Sequence, residues 1–500
     1  MNRSTHTITR GLLGLIVALL MTACSNGGTS TTDNGSNVVD NGHNITDNGS
    51  DVVDDGKDIQ SGADIDSVSD VMVPDIGMDN GANDSYGSSD VPVSDQTSID
   101  LKCTPGCTGK ECGDDGCGGN CGICGSGKTC VEGKCKSGVE VVWDRSFGGS
   151  KTDAAFSIQQ TKDGGYIVAG ITKSKGAGSG DVWVLKLDPD GVPVWDKTFG
   201  GSKADAAFSI QQTKDGGYIV AGYTASKGAG ANDAWVLRLA SDGTLLWDKT
   251  FGGSNFDVVY SIQQTKDGGY IMVGNTVSNG GGNFNAWVMR LASDGTPVWN
   301  KTFGGSGPNE VKSVWQTTDG GYIVAGWTYS KKTYSWDAWV LRLTSDGTLL
   351  WDKTFGGSNA EVAFSIRQTM DGGYIVAGNT ESKGAGKRDA WVLRLDPDGT
   401  TIWDNTFGGN DDDEAYSIQQ TTDGGYIVAG YTESKGAGNK DAWVLRLASD
   451  GTLVRDKTFG GNGEDEAKFI RQTMDGGYIV AGYTESKGAG GEDAWVLKLK

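Results

Sequence analysis

The stretch KDGGYIVAGYTASKGAGANDAWVLRL, Lys214 to Leu239, returns with small changes every 52 residues as far as the C-terminus. Its tyrosine belongs to the series Tyr166, Tyr218, Tyr270, Tyr322, Tyr374, Tyr426 and Tyr478. Its tryptophan belongs to Trp183, Trp235, Trp287, Trp339, Trp391, Trp443 and Trp495. A second tryptophan series runs Trp143, Trp195, Trp247, Trp299, Trp351 and Trp403, and Arg455 stands in its seventh place. A period of about 50 residues written in short strands is that of a propeller blade.

One copy divides into four strands. AYSIQQTT is strand A, DGG a turn, YIVAGYT strand B, ESKGAGNKD a longer loop, AWVLRLA strand C, SDG a second turn and TLVRDKTF strand D. Val, Ile, Thr, Tyr and Trp in short alternating runs favour strand over helix. The Asp-Gly turns supply the positive φ that tight hairpins require. Along strand C, Trp443, Leu445 and Leu447 face one way and Val444 and Arg446 the other, so both faces of the sheet meet neighbours. The ends of the array complement each other. The first copy opens with a lone strand D, VEVVWDRSF from Val139, and the last stops after strand C at WVLKLK. If the first strand joins the last sheet, seven blades close with no free edge. The competing open solenoid would need polar capping repeats, and none is visible. The expected class is all-β: a seven-bladed propeller of four-stranded blades over 139–500, closed by the N-terminal strand.

The chain has 500 residues, 81 of them glycine, and a net charge of -21. That charge argues against nucleic acid as a partner, because phosphate binding needs a basic footprint. Residues 1–23 read as a signal segment: Arg3 and Arg10 flank a polar start, and GLLGLIVALLM is too short to remain as a spanning helix. Residues 24–101 hold sixteen aspartates, no glutamate, Lys57 as the only cation and Tyr86 as the only aromatic. Such a segment lacks the apolar surface to offset chain entropy and reads as an acidic tether. Asp33, Asp40, Asp47 and Asp54 recur every seven residues. Calcium is a minor alternative there, since no loop gathers the full ring of oxygens the ion requires. Residues 102–138 carry Cys103, Cys107, Cys112, Cys117, Cys121, Cys124, Cys130 and Cys135. In an exported chain this reads as a disulfide-rich module whose pairing the sequence leaves open. With no histidine nearby, zinc at Cys121 and Cys124 is disfavoured.

Several of these features resemble known families. LMTAC resembles a bacterial lipobox, which implies cleavage before Cys24 and lipidation of its thiol, with Ser25 favouring the outer membrane; Met21 is a less usual residue at its place. GKECGDDGCGGNCGIC resembles the Cys-rich modules found beside lipoprotein tethers. It is less similar to chitin-binding knots, from which it differs in cysteine spacing and in having no aromatic between Cys103 and Cys135. GGYIVAG followed by DAWVLRL and GTLLW resembles a kelch repeat, and SDGTLLWDKTFGG resembles the tryptophan-docking motif of quinoprotein-type propellers. In those families the docking tryptophan is a packing device. The resemblance implies a fold and leaves the chemistry open.

The two histidines, His6 and His43, lie outside the ring, which has no cysteine either. That removes Ser-His-Asp, Cys-His and His-based metal chemistry from the ring. Asp181, Asp233, Asp389 and Asp441 recur in most copies, so they read as turn or cap residues rather than catalysts. The expectation is a non-enzyme; polysaccharide cleavage or quinone chemistry is the alternative, and an envelope-assembly scaffold a third reading. Function should lie where copies differ, on the face that carries the D–A and B–C loops. There WTYSKKTYSWDAW brings Trp327, Tyr329, Tyr334 and Trp336, with Phe284 one copy earlier. These are candidates for a glycan or protein contact, or else a plug of rings covering one another. Asp153, Asp205, Asp257, Glu310, Glu361, Asp413 and Asp465 form a candidate acidic rim for a cation, calcium at most, or for a basic partner. The alternative is that they cap their loops. The whole then reads as a monomeric lipoprotein of the outer membrane, periplasmic or cell-surface exposed, anchored only through lipid and binding a glycan or an envelope protein without a cofactor. Mass spectrometry of the mature chain is expected to find an acylated N-terminal Cys24; an unmodified cysteine there would refute the anchor.

Overall fold

The computed structural model describes residues 108, 110–111, 122, 128–131, 134–137, 139–279, 283–305 and 307–500. Cys24, the tether and Cys103, Cys107, Cys112, Cys117, Cys121 and Cys124 lie outside the described residues. From the cysteine-rich segment the described part is a hairpin, Lys128–Val131 with Lys134–Ser137, whose register sets Cys130 opposite Cys135.

Seven four-stranded antiparallel sheets follow, each ordered A-B-C-D from inside to outside. Their innermost strands are Asp153–Gln160, Asp205–Gln212, Asp257–Gln264, Asn309–Gln316, Glu361–Gln368, Asp413–Gln420 and Asp465–Gln472. They define blades 1 to 7. The seventh sheet is completed by Val141–Phe147, which pairs with Asp493–Leu499 from Val141 opposite Leu499 to Phe147 opposite Ala494. Glu140 and Lys500 extend this ladder with two backbone bonds, 2.8 and 2.9 Å. The closure expected from the two chain ends is therefore present, and the seven blades form a propeller ring. Strands A and C begin earlier than the apolar pattern suggests, at Asp413 and Asp441 in the sixth blade, because the leading aspartate still pairs in the ladder (Asp413 with Thr432, Asp441 with Thr432).

Each interface between blades repeats one recipe. Trp443, Leu445 and Leu447 of blade 6 pack with Tyr426 and Ile418 against Ile375, Ala377, Ala390 and Val392 of blade 5. Val444 and Ala442, on the other face, pack into blade 7. Full burial of one such large apolar side chain is worth roughly 1.5–3 kcal/mol before chain entropy is counted. Strand A carries a bulge at its fourth residue; in blade 6, Ala415 pairs with Gly430 and Ser417 with Ala429, leaving Tyr416 unpaired. The glycine of YIVAG permits this. A Cβ on Gly430 would overlap the Glu414 carbonyl. The bulge turns the fourth residue of every inner strand toward the central channel.

The second tryptophan series locks neighbouring blades. Trp143, Trp195, Trp247, Trp299, Trp351 and Trp403 each meet the strand-B tyrosine of the next blade edge-on, at 5.7 to 6.3 Å between centroids. The other neighbour of the indole is the C–D turn glycine of that same next blade; a Cβ on Gly295 (φ 79°) would press into the Trp247 ring. This accounts for Arg455. Blade 7 takes its outer strand from the chain's other end, so it has no C–D turn for a tryptophan to lie against. Val139 fills the place, buried in one cluster with Tyr478, and its carbonyl accepts from Lys457 Nζ at 2.8 Å. Trp247→Ala is expected to lower unfolding free energy by about 2 kcal/mol in urea titration. Arg455→Trp is expected to give no gain, since its platform is missing.

Candidate functional site

The D–A and B–C loops share one face, and backbone bonds tie them across blades there. Asp205 N–H donates to Gly180 O (2.9 Å), Asp257 to Asn232 (2.8 Å), Asp413 to Arg388 (2.9 Å) and Asp465 to Lys440 (2.9 Å). The expected acidic rim is corrected by this arrangement. Asp153, Asp205, Asp257, Glu361, Asp413 and Asp465 are buried rather than ringing a channel mouth. Each accepts from its own D–A loop: Gly149, Gly201, Gly253, Gly409 and Gly461 donate to the five aspartates at 2.9 Å, and Gly357 to Glu361 at 2.7 Å. Ser226, Ser278, Ser434 and Ser486 hydroxyls add second donors at 2.6 to 2.7 Å. These side chains hold loops, because six backbone donors near a buried sheet end need acceptors. Glu310 stands one place further along, after Asn309, which fills the cap position in blade 4 and accepts from Thr328 Oγ1 at 2.5 Å. Among the described residues, no group of three or more His, Cys, Asp or Glu side chains is placed to hold a metal ion.

The blade-4 aromatics divide. Trp327 is only 3% exposed, which corrects its placement on the surface. It occupies the strand-B position of the buried Tyr223, Tyr431 and Tyr483, and its ring meets Phe364 of blade 5 at 6.1 Å. Tyr329 and Trp336 face each other across an extended hairpin, register partners with ring centroids 6.3 Å apart. In blade 4 the strands flanking the B–C loop run to nine residues, Tyr322–Ser330 and Ser335–Leu343, where other blades have seven. The tip is Lys331 to Tyr334. Tyr334 is 79% exposed and holds φ 57°, a left-handed conformation rare for a non-glycine residue. Phe284, half-buried, meets Phe256 edge-on at 5.7 Å on the adjoining blade. Blades 3 and 4 thus present a strip of rings ending in an exposed tyrosine.

The residue that precedes the repeated Asp181 position varies around the ring: Gly180, Asn232, Phe284, Trp336, Arg388, Lys440, Glu492. Three of these form a polar sector that the sequence reading passed over. Arg388 Nη1 pairs with Glu414 at 3.0 Å, and Lys440 Nζ with Glu466 at 2.9 Å. Glu466, 2% exposed in its side chain, also pairs with Lys468. Burial works against its charge, yet Lys468 and Lys440 outweigh burial and draw its pKa down to about 2. Glu492 has Oε2 buried with no partner. Burial first, then the neighbouring Glu485 and Glu466, push its pKa up to about 7.

The channel is the other non-repeating region. Its cavity of about 450 Å³ is lined by inner strands and opens toward the Asp-Gly turns, where Met474 stands exposed. At the bulge, Phe156, Phe208, Tyr260, Phe364 and Tyr416 share a belt with Lys312 and Lys468, whose ammonium groups lie 3.3 Å from the Tyr260 centroid and 3.9 Å from that of Tyr416. Three residues nearer the mouth the repeat has glutamine. Gln212 N–H donates to Gln159 Oε1 (2.7 Å), Gln264 to Gln211 (2.6 Å), Gln316 to Gln263 (2.8 Å) and Gln472 to Gln419 (3.0 Å). In the remaining places stand Trp315, Arg367 and Arg471. Comparing copies at this column would have singled them out; attention to loops alone hides them.

A family model described as a domain of unknown function (DUF5122) beta-propeller matches residues 213–245, within blade 2. No curated protein matches the sequence. Among solved structures, a protein of unknown function from Dyadobacter fermentans is similar, with 14% identity, 73% of this chain and 100% of that one covered, and a TM-score of 0.41. Sqt1 from Chaetomium thermophilum aligns with 14% identity over 69% of this chain and 83% of its own, TM-score 0.41. The Neurospora crassa Pan2 WD40 domain aligns with 12% identity over 58% and 88%, TM-score 0.38. The fold assignment itself rests on the strand pairing described above.

Two opposite pH responses follow from the polar sector. The folded state holds the Glu492 proton more tightly than the unfolded chain does, so stability from this group is full below pH 4.5 and falls as pH rises to about 7. For Glu466 the stabilisation is present above pH 4.5 and is lost as pH falls toward about 2. Denaturant titrations between pH 4 and 8 should show Glu492→Gln gaining on the parent as pH rises; an identical slope for both proteins would refute the assignment.

Proposed function

We propose that this propeller is a non-catalytic binding or scaffold lipoprotein, held at the outer membrane through Cys24. Its long-loop face, at blades 3 and 4, docks a glycan or an envelope protein. The reading rests on one observation, the hairpin that lifts Tyr334 into solvent above the Tyr329–Trp336 pair. Elsewhere the B–C segment of the same length is the SKGAG loop or its relative, so blade 4 departs from the repeat in conformation and chemistry together, with paired strands where the other blades have loop. The exposed Tyr334, backed by the half-buried Tyr329 and Trp336 on a paired hairpin, offers aromatic contact area, and Lys331 and Lys332 at the same tip favour an acidic partner in either class. The aspartates at the starts of strands A and C are engaged in holding loops, which supports binding without turnover.

Tyr334→Ala and Trp336→Ala, alone and together, are to be compared with the parent on a glycan array and in pull-downs from envelopes. Loss of about tenfold or more in affinity is expected for the pair, with the melting temperature nearly unchanged for Tyr334→Ala. Parent-level binding by the double variant would rule out this surface.

A further inference from the structure

The chain and its channel carry opposite charge. The protein has a net charge of -21, yet no acidic residue lines the cavity, which contains four cations. Lys312 and Lys468 have carboxylate partners in Glu310 and Glu466. Arg367 and Arg471 have none among the described residues. Arg367 lies on the Trp315 ring, 4.3 Å from its centroid, and its Nε is buried without an acceptor. Arg471 lies on the Phe469 ring at 4.8 Å. Aromatic faces hold both guanidinium groups in place but satisfy none of their N–H donors.

The glutamines at this level add amide donors to the cavity. The amide oxygens of Gln159, Gln211, Gln263 and Gln419 are occupied by backbone N–H groups of the following blade. Among the described residues, their NH₂ groups have no hydrogen-bond acceptor, and they face into the channel. Where arginine replaces glutamine, the next blade's Gln420 or Gln160 also loses the acceptor that its counterparts have. Such substitutions give up a hydrogen bond between blades and bring two like charges into one cavity. That cost is borne in blades 5 and 7, on either side of a blade 6 that keeps Gln419, while blades 1 to 3 keep the glutamine and blade 4 has Trp315; residues that give up a stabilising bond in this way point to a role other than stability.

We propose that the channel is an oxyanion receptor, in which Arg367 and Arg471 jointly hold a phosphate, sulfate or carboxylate group that enters from the Asp-Gly-turn face. Guanidinium forks and amide NH₂ groups are matched to the oxygens of such ions, and the cavity admits an ion together with a small organic body. The site is separate from the blade-4 hairpin and does not depend on it.

Glutamine is the repeat's own residue at this position, so Arg367→Gln and Arg471→Gln supply a bond between blades instead of removing one. Both variants are expected to fold, and without added anion the double variant should melt above the parent. Calorimetric titration of the full chain with inorganic phosphate, sulfate and succinate, at constant ionic strength with chloride as control, is expected to show saturable binding of at least one. The three probes separate a free inorganic ion from an organic acid. Each single substitution should weaken binding about tenfold or more, while Tyr334→Ala leaves it unchanged. Absence of binding for all three ions, or equal binding by the parent and the double variant, would overturn the proposal.

Discussion

Every blade of this ring turns a bare strand edge toward the axis, and the structure depends on how those inner N–H groups are satisfied. A sheet edge left open in a narrow channel would either pair wrongly or leave donors unmet. Here side chains of the preceding blade accept the bonds. Ser157, Ser313 and Ser417 take the N–H of Ile210, Ile366 and Ile470, and the glutamine columns do the same one step further along. A second glutamine in each copy accepts from the A–B turn of the blade before it, from Lys162 to Gln212 and onward until Met474 donates to Gln160. That last bond closes the circle. Packing makes the blades adhere, but these bonds fix their spacing and register about the axis.

The same scheme shows what a departure from the repeat means. A residue that abandons its place in a seven-fold hydrogen-bond circuit forgoes a stabilising contact made elsewhere in the ring. Trp315, Arg367, Arg471 and Phe469 all do so, in blades 4, 5 and 7, while blade 6 keeps Ser417 and Gln419 in the circuit. On the opposite face, the hairpin of blade 4 abandons the SKGAG loop. Both regions lie on the same side of the ring, from blade 4 to blade 7, while blades 1 and 2 remain close to the shared pattern.

Much of this was legible in the chain. The 52-residue period, the Asp-Gly turns and the complementary ends specified seven blades and their closure, because each is a local signal repeated many times. The loop aspartates were visible as a column, but not their burial: the sequence shows that an acid recurs, not that three loop donors converge on it. Trp327 opens the aromatic motif of the long-loop face, which suggests an exposed ring. Its burial depends on the gap between two blades, which only the packed ring defines. Arg367 and Arg471 were present in the same alignment of copies. Their meaning appears only once the bulge and the strand order are known to turn that column toward an axis without carboxylates.

The seventh sheet has one further consequence. Its outer strand is among the first parts of the ring to be made, and the strand it pairs with is the last, so residues as distant as Asp144 and Lys487 must meet. Six sheets can assemble from neighbours as the chain emerges, whereas the seventh must wait for the last strand to be made. Until then Val141–Phe147 is an unpaired strand beside a partial arc, and truncation by even one strand at the C-terminus would leave the whole ring unlatched.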